Sequence, residues 1–414
     1  MLAIVTTHPV QYQAPWFRRL AASMDIEVLY AHRQDATGQA EAGFGVEFDW
    51  DTPLLEGYPF QWLRNVARSP TVKTFGGCDT PDLYEMLHPR RFDACLILGW
   101  NRKCYLQAAA ACWRNGLPLL VRGDSQLETR RSQMVRLIKS VPYHLLLPRC
   151  SAHLYVGHRN RAYLERFGVP QAKLFFCPHS VDNAYFQSGA ERARLDRTCQ
   201  RLRRSLGIGP NDFVALFVGK LIEKKRAADF IRACGSVEAT ISCSRLHGVL
   251  VGDGPLRGQL EELARPWVSR IHFTGFRNQS ELPTWYASAD ALVVCSDSEE
   301  TWGLVVNEAM ACGVPAVVSE AVGCSPDLIE AGRTGYTYPL GDIKAMAACL
   351  TSLDRAVQLD SAELRRGLSE KMAVYSFDRA TQGLEAALET VCRRRQARNR
   401  LRDAAATSAA QQRP

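Results

Sequence analysis

Glu299-Glu300-Thr301-Trp302-Gly303-Leu304-Val305-Val306-Asn307-Glu308-Ala309-Met310-Ala311-Cys312-Gly313-Val314-Pro315 is preceded by the apolar run Ala291-Leu292-Val293-Val294-Cys295 and followed by Ala316-Val317-Val318-Ser319. A short run of Val, Leu and Ala without polar alternation suits a strand covered on both faces. Between the runs lies a loop, then a helix-length apolar segment that stops near Gly313 and Pro315, residue types that end helices. A helix between two strands makes a parallel pair, since antiparallel neighbours need only a turn. Open sheets of this kind bind ligands outside the C-terminal ends of their strands, where Glu300 falls. Thr301 or Trp302 is expected to open the helix. Its first amides have no intrahelical partner, and the dipole there favours an anion such as phosphate. Glu308, expected about two turns into the helix, has a carboxylate that only accepts hydrogen bonds. A vicinal diol, such as that of ribose, is a suitable partner. A solvated surface glutamate has the same local sequence, so the neighbouring segments must decide.

The same unit repeats on both sides of this stretch. Strand-like runs at 213–218, 248–251, 271–274, 291–295 and 316–319 alternate with helical segments at 226–234, 256–264, 282–287, 304–312 and 343–353. An earlier series has strands at 2–7, 27–31, 94–98, 117–121, 153–156 and 174–177, with helices at 16–23, 104–114 and 159–167. Such alternation predicts the α/β class, with parallel sheets covered by helices. Cys177-Pro178-His179-Ser180-Val181-Asp182-Asn183 and the polar, basic stretch 191–204 separate the two series. The expected units are 1–183, 184–376, a final helix at 377–392 and a basic tail at 393–414, the tail expected to be disordered.

Composition excludes several other classes. The chain has 414 residues, 46% hydrophobic and 23% charged, with a net charge of +8, which suits a two-domain globular protein. Seven arginines against one acid, Asp403, lie between 393 and 414; the remainder is only mildly basic and does not argue for nucleic acid. The 14 cysteines contain no Cys-x-x-Cys, and Cys95, Cys104, Cys112, Cys243, Cys295 and Cys312 mostly sit in apolar runs. They read as small buried hydrophobes in a reducing cytosol. Residues 1–7 lack the form of a signal peptide, and no apolar run has the length of a membrane span. The expectation is a cytoplasmic protein, with peripheral contact at the inner membrane face.

Two further segments point to a phosphate ligand. In Phe217-Val218-Gly219-Lys220-Leu221-Ile222-Glu223-Lys224-Lys225-Arg226 a strand ends at Gly219 and four cations follow within seven positions. Lysine ammonium groups are apt point charges for a diphosphate, and cations at a helix start oppose its dipole unless an anion or water compensates. Val251-Gly252-Asp253-Gly254-Pro255-Leu256 allows close backbone approach of a ligand, and is also a good turn.

In this order and spacing the segments resemble the donor half of the retaining glycosyltransferases of family 4. Phe273-Thr274-Gly275-Phe276, Tyr286-Ala287-Ser288-Ala289-Asp290 and the paired Glu300 and Glu308 complete the pattern. The resemblance covers roughly residues 150–390 and implies the GT-B fold, two Rossmann-like parallel-sheet domains facing each other across a cleft. It implies that Lys220, where the family usually has Arg, and Lys225 grip a donor pyrophosphate. Glu308 would bind the ribose hydroxyls and Glu300 those of the transferred sugar. The amides of Trp302, Gly303 and Leu304 would sit near the phosphates, with Gly219 and Gly252 beside them and Thr274, Gly275 and Phe276 against the base. Arg226 stands where Gly is usual.

On the acceptor side the match is looser. The family's Gly-rich first loop is replaced by Thr7-His8-Pro9-Val10-Gln11-Tyr12. A His usual after a middle strand is absent from Val121-Arg122-Gly123-Asp124-Ser125. His8, Gln11, Trp100, Arg122 and Asp124 are the candidates, with a structural loop for His8 and a core or rim position for Trp100 as the alternatives. The implied reaction is transfer of a sugar from a UDP- or GDP-sugar to a saccharide or lipid-linked acceptor, with retention. No cofactor or metal is expected, because no Asp-x-Asp stands at a suitable strand end and the lysines can stabilise the leaving diphosphate. An epimerase of the same fold needs an acid and base set that the sequence does not offer. A catalytically degenerate regulatory protein fits poorly with intact Glu300, Glu308 and Lys225. A dinucleotide oxidoreductase needs glycines after the first strand, and residues 6–13 have none. The basic tail and the mixed basic and leucine-rich stretch 130–149 are candidates for contact with an anionic membrane.

Overall fold

The computed structural model describes residues 1–33, 46–129, 133–236 and 246–411; Cys243, Arg130 and Arg131 lie outside the described residues. Among the described residues the strands form two all-parallel sheets. The first has seven strands in the order β3-β2-β1-β4-β5-β6-β7: β1 Leu2–Thr6, β2 Ile26–Tyr30, β3 Phe60–Trp62, β4 Ala94–Ile97, β5 Leu119–Gly123, β6 Ala152–Tyr155 and β7 Leu174–Phe176. The second has six, in the order β10-β9-β8-β11-β12-β13: β8 Phe213–Val218, β9 Leu246–Val251, β10 Ile271–Phe273, β11 Ala291–Val294, β12 Ala316–Ser319 and β13 Gly335–Tyr338. Each sheet reverses its strand order beside its first strand, where Leu2 pairs with both Ile26 and Ala94 and Ala215 with both Gly248 and Ala291. Loops diverge at such a point and leave a crevice. The α/β, two-domain expectation is what the chain adopts.

The central strands are the ones with continuous apolar runs, and every residue of β1, β4, β11 and β12 is buried. The two strands without a sequence signal are both edges. Phe60 and Gln61 of β3 are exposed, and Tyr336 and Thr337 of β13 are not buried, so neither needs an apolar run. The polar stretch 191–204 is a correction of a different kind. It is the end of one helix, Asn183–Leu195, and most of another, Thr198–Ser205. Phe186, Ala190 and Ala193 bury one side of the first in the core of the second domain, so few apolar positions sufficed to hold a helix that otherwise reads as linker.

Two long helices close the chain, Ile343–Val374 and Phe377–Gln411. The last returns to the first domain. Ala380, Leu384, Ala387 and Val391 enter the core around Leu2, Ile4, Trp16 and Phe17, at the spacing of one helical face. The helix runs to Gln411, into the stretch expected to be disordered; Arg394 and Arg395 donate to the carbonyls of Ala172 and Asp93 at 3.3 and 3.1 Å. Polar ties hold the domains in register. Gln126 donates to the Ser298 carbonyl at 2.8 Å, and buried Asp327, held within the second domain by the Tyr375 hydroxyl, accepts from His158.

Candidate active site

A cleft of about 530 Å³ lies between the two sheets. Its donor-side wall is made by the loops after β8, β9 and β11, and its opposite wall by Gln11, Tyr12, Trp50, Asp124 and His179. The loop after β9 is a buttress for the loop after β8. Gly219 N–H donates to the Val251 carbonyl, Leu221 N–H to Asp253 and Leu256 N–H to Leu221. A Cβ on Gly252 would stand 1.9 Å from the Gly219 carbonyl oxygen, and its φ of 141° is disfavoured for any other residue. Gly252 is thus required by contact between two loops as well as by its place in the cleft.

Lys220 and Lys225 both reach the cleft. Lys225 Nζ forms an ion pair with Glu300, each side chain about 15% exposed. Burial pushes the Glu300 carboxyl up, but Lys225 and Lys224 outweigh it and hold the group below the ordinary range. Glu300 is therefore ionised at neutral pH. Burial, helped by Lys225 and Lys224, depresses the Lys220 ammonium to about 8. This site is short of negative charge, as expected of a cradle for an anion. Arg226 has φ of 52°, a left-handed conformation that costs a non-glycine residue roughly 1–2 kcal/mol. That explains why Gly is usual here. In this chain Arg226 donates to Asp229 at 2.6 Å, which offsets part of the strain.

The helix expected at Thr301 or Trp302 starts later, at Leu304, with Gly303 preceding it at φ 99°. Thr301 is diverted across the cleft, its hydroxyl donating to Asp124 at 2.5 Å. Trp302 is 4% exposed, its indole N–H donates to Asn307, and its carbonyl accepts from Cys324 N–H. Thr301, Trp302, Gly303, Leu304 and Val305 all line the cleft, so the N-terminus of the helix does face it. Glu308 consequently sits little more than one turn in. One of its oxygens accepts from the buried Tyr286 hydroxyl at 2.6 Å, and burial raises its carboxyl to about 7, against the opposing influence of Tyr286 and Lys225. Phe276 lines the cleft with its ring 4.2 Å from that of Phe48. Thr274 and Gly275 are outside the lining: the Thr274 hydroxyl donates to the Leu250 carbonyl, and the Gly275 carbonyl accepts from Gly252 N–H.

Only Gln11 and Asp124 of the acceptor-side candidates line the cleft. Arg122 is turned beneath it, donating to the Pro178 carbonyl at 2.9 Å and lying 4.9 Å from the Trp16 ring centroid. His8 meets Thr7 at 2.9 Å, and burial depresses it to about 4. Trp100 stacks on Tyr163 at 6.1 Å and 15°. None of these three lines the cleft. His179 takes a place that the sequence reading missed. It arrives from the junction after β7, its Nε2 is 3.9 Å from Asp124, and burial, then Arg122, lowers it well below its usual range. Arg122 cannot accept a hydrogen bond, so its approach to His179 Nδ1 at 3.5 Å leaves the proton on Nε2, facing Asp124. The signal available was a Pro-His pair directly after a strand, and strand ends are where cleft residues gather.

The two opposed titrations have a measurable consequence. Below about 7 Glu308 is protonated and no longer a double acceptor; above about 8 Lys220 loses its charge. Affinity for the expected nucleoside diphosphate sugar, whose diphosphate does not titrate in this range, is expected to peak between these values. Tyr286→Phe should move the acid limb to higher pH, because the Tyr286 hydrogen bond lowers the Glu308 value. Calorimetric titration of wild type and variant checks this; an affinity flat across the range, or an unmoved limb, refutes it.

Known proteins give a consistent picture. The chain is 30% identical over 184 residues to an N-acetyl-alpha-D-glucosaminyl L-malate synthase of Bacillus anthracis, covering 44% of this chain and 45% of that one. It is 32% identical over 238 residues to a D-inositol 3-phosphate glycosyltransferase of Actinosynnema mirum, covering 53% and 52%. The matches thus span about half the length of these relatives. The crystal structure of Anabaena HepE in complex with UDP-glucose superposes with a TM-score of 0.68 at 17% identity, over 94% of this chain and 99% of that one, a likeness of fold that agrees with the two facing sheets. Residues 212–355, which hold Lys220, Lys225, Glu300 and Glu308, match the family described as glycosyl transferases group 1.

Proposed function

We propose that the protein transfers a sugar from a nucleotide-sugar donor to an acceptor, with retention of anomeric configuration and without a metal ion. The observation that carries this reading is the convergence, in one interdomain cleft, of Lys220, Lys225, a helix N-terminus and Glu308. The first three suit a diphosphate and the last a ribose diol. Breaking the bond between anomeric carbon and diphosphate sends an electron pair to the phosphate oxygen. Preorganised cations in a closed cleft stabilise that charge where it develops. Ionised Glu300 accepts from hydroxyls of the sugar and keeps Lys225 in place. Trp50, Asp124 and His179 face the acceptor half, where an incoming hydroxyl forms the new bond to the anomeric carbon and passes its proton to the departing phosphate oxygen. UDP is the first donor nucleotide to test, since HepE, of the same fold, was crystallised with UDP-glucose. Saccharides and lipid-linked glycans are the proposed acceptors, and the cytoplasm the proposed site of action; among the described residues no helix is long and apolar enough to cross a membrane.

A thermal-shift series with UDP-, GDP- and ADP-sugars tests donor binding, because a ligand held only by the native state raises its stability. Transfer from the stabilising donor should then proceed unchanged in excess chelator. No shift with any nucleotide sugar contradicts the donor site, and loss of transfer restored by magnesium or manganese contradicts metal independence.

A further inference from the structure

The helix Gln133–Leu146 carries an apolar row that stays exposed among the described residues. Met134, Ile138, Val141 and Leu145 are 72%, 67%, 65% and 64% exposed. Their spacing of four, three and four residues puts them on one face of a helix, a row of roughly 16 Å. Single exposed apolar side chains need no explanation, whereas a contiguous row marks an interaction surface. The helix is anchored elsewhere: the Tyr143 and His144 rings pack on Phe167 at 5.6 and 5.1 Å, and Leu147, just past its end, is buried with Tyr163 and Leu164.

Charge selects the occupant. Between residues 129 and 149 the chain has five Lys and Arg residues and no Asp or Glu. Two copies of the protein meeting through this row would bring like charges together, which costs free energy. An anionic lipid surface would instead attract the segment while its acyl boundary takes the apolar row. The C-terminal arginines are a weaker candidate, since Arg394 and Arg395 already donate to carbonyls of the first domain. We propose that the Met134–Leu145 face docks in the plane of an anionic membrane. The helix follows β5, whose end presents Asp124 to the cleft, so docking would bring the acceptor half of the cleft toward the bilayer. That last link, to a lipid-borne acceptor, rests on the proposed transfer reaction; the docking does not.

Sedimentation of the full chain with phosphatidylcholine vesicles, with and without phosphatidylglycerol, tests it. Wild type should pellet with the anionic vesicles at low salt and be released as salt rises. The Ile138→Glu/Leu145→Glu double variant, altered only at exposed positions, should lose about ten-fold or more in partition while keeping its melting temperature and its stabilisation by UDP-glucose. Wild type that stays in solution, a variant that pellets equally, or lipid-free dimers abolished by the variant would each overturn the proposal, the last by showing a second copy as the occupant. Wild type that binds vesicles but is stabilised by no UDP-, GDP- or ADP-sugar would leave docking intact and contradict the donor site instead.

Discussion

Replacing Lys225 by alanine is expected to lower kcat/KM for transfer by about 10²–10³-fold, the range found when one preorganised donor to a developing charge is removed. Lys225 stands in the short turn Glu223–Lys225 after β8, with its ammonium paired to Glu300 and close to Gly219. The ion pair complicates the experiment. Without Lys225 the Glu300 carboxylate keeps its burial and loses its main partner, and breaking a buried pair costs up to roughly 3–5 kcal/mol; Lys220 and Lys224 nearby reduce that figure. The variant should therefore melt at lower temperature as well as turn over more slowly. Adding Glu300→Gln removes the stranded charge, so the double variant should regain stability while its turnover remains low. If Lys225→Ala has wild-type kcat/KM, the lysine serves only to neutralise Glu300.

Glu308→Ala should weaken UDP binding by about 1.5–3 kcal/mol, or roughly 10- to 150-fold, the usual value of a hydrogen bond to a charged group. The carboxylate is 8% exposed, lines the cleft and has one oxygen already engaged by Tyr286. Truncation also strands the Tyr286 hydroxyl in the core, so a loss of about 1–3 kcal/mol of stability should accompany it. Glu308→Gln separates the effects. Its amide oxygen can still accept from Tyr286, so stability should be nearly kept while the acid limb of the affinity profile disappears. Calorimetry with UDP gives the affinities and thermal melts the stabilities; wild-type affinity in the alanine variant would remove Glu308 from the site.

Much of the donor half was legible because the information is local. A central parallel strand is buried on both faces and must be continuously apolar, so β8 and β12 were found with their observed bounds. Chain direction then placed Lys220, Glu300 and Glu308 at strand ends or on the following helix. The start of that helix was misplaced by two or three residues because its cause is distant: Thr301 is drawn to Asp124, 177 residues away in sequence.

The α/β class, the two series of parallel strands and the identity of the charged groups beside the second sheet's switch point could all be read from the order of residues. Periodicity and burial impose these, and both are written in neighbouring residues. Tertiary structure alone decided which strand ends meet across the cleft. It put Glu300 on Lys225 and Tyr286 on Glu308, brought His179 and Trp50 into the lining, and turned Arg122 away beneath it. It also decided how the charges behave, since desolvation depends on what packs around a group: Glu308 rises to about 7 while Glu300, a half-buried glutamate, stays ionised because Lys225 lies against it.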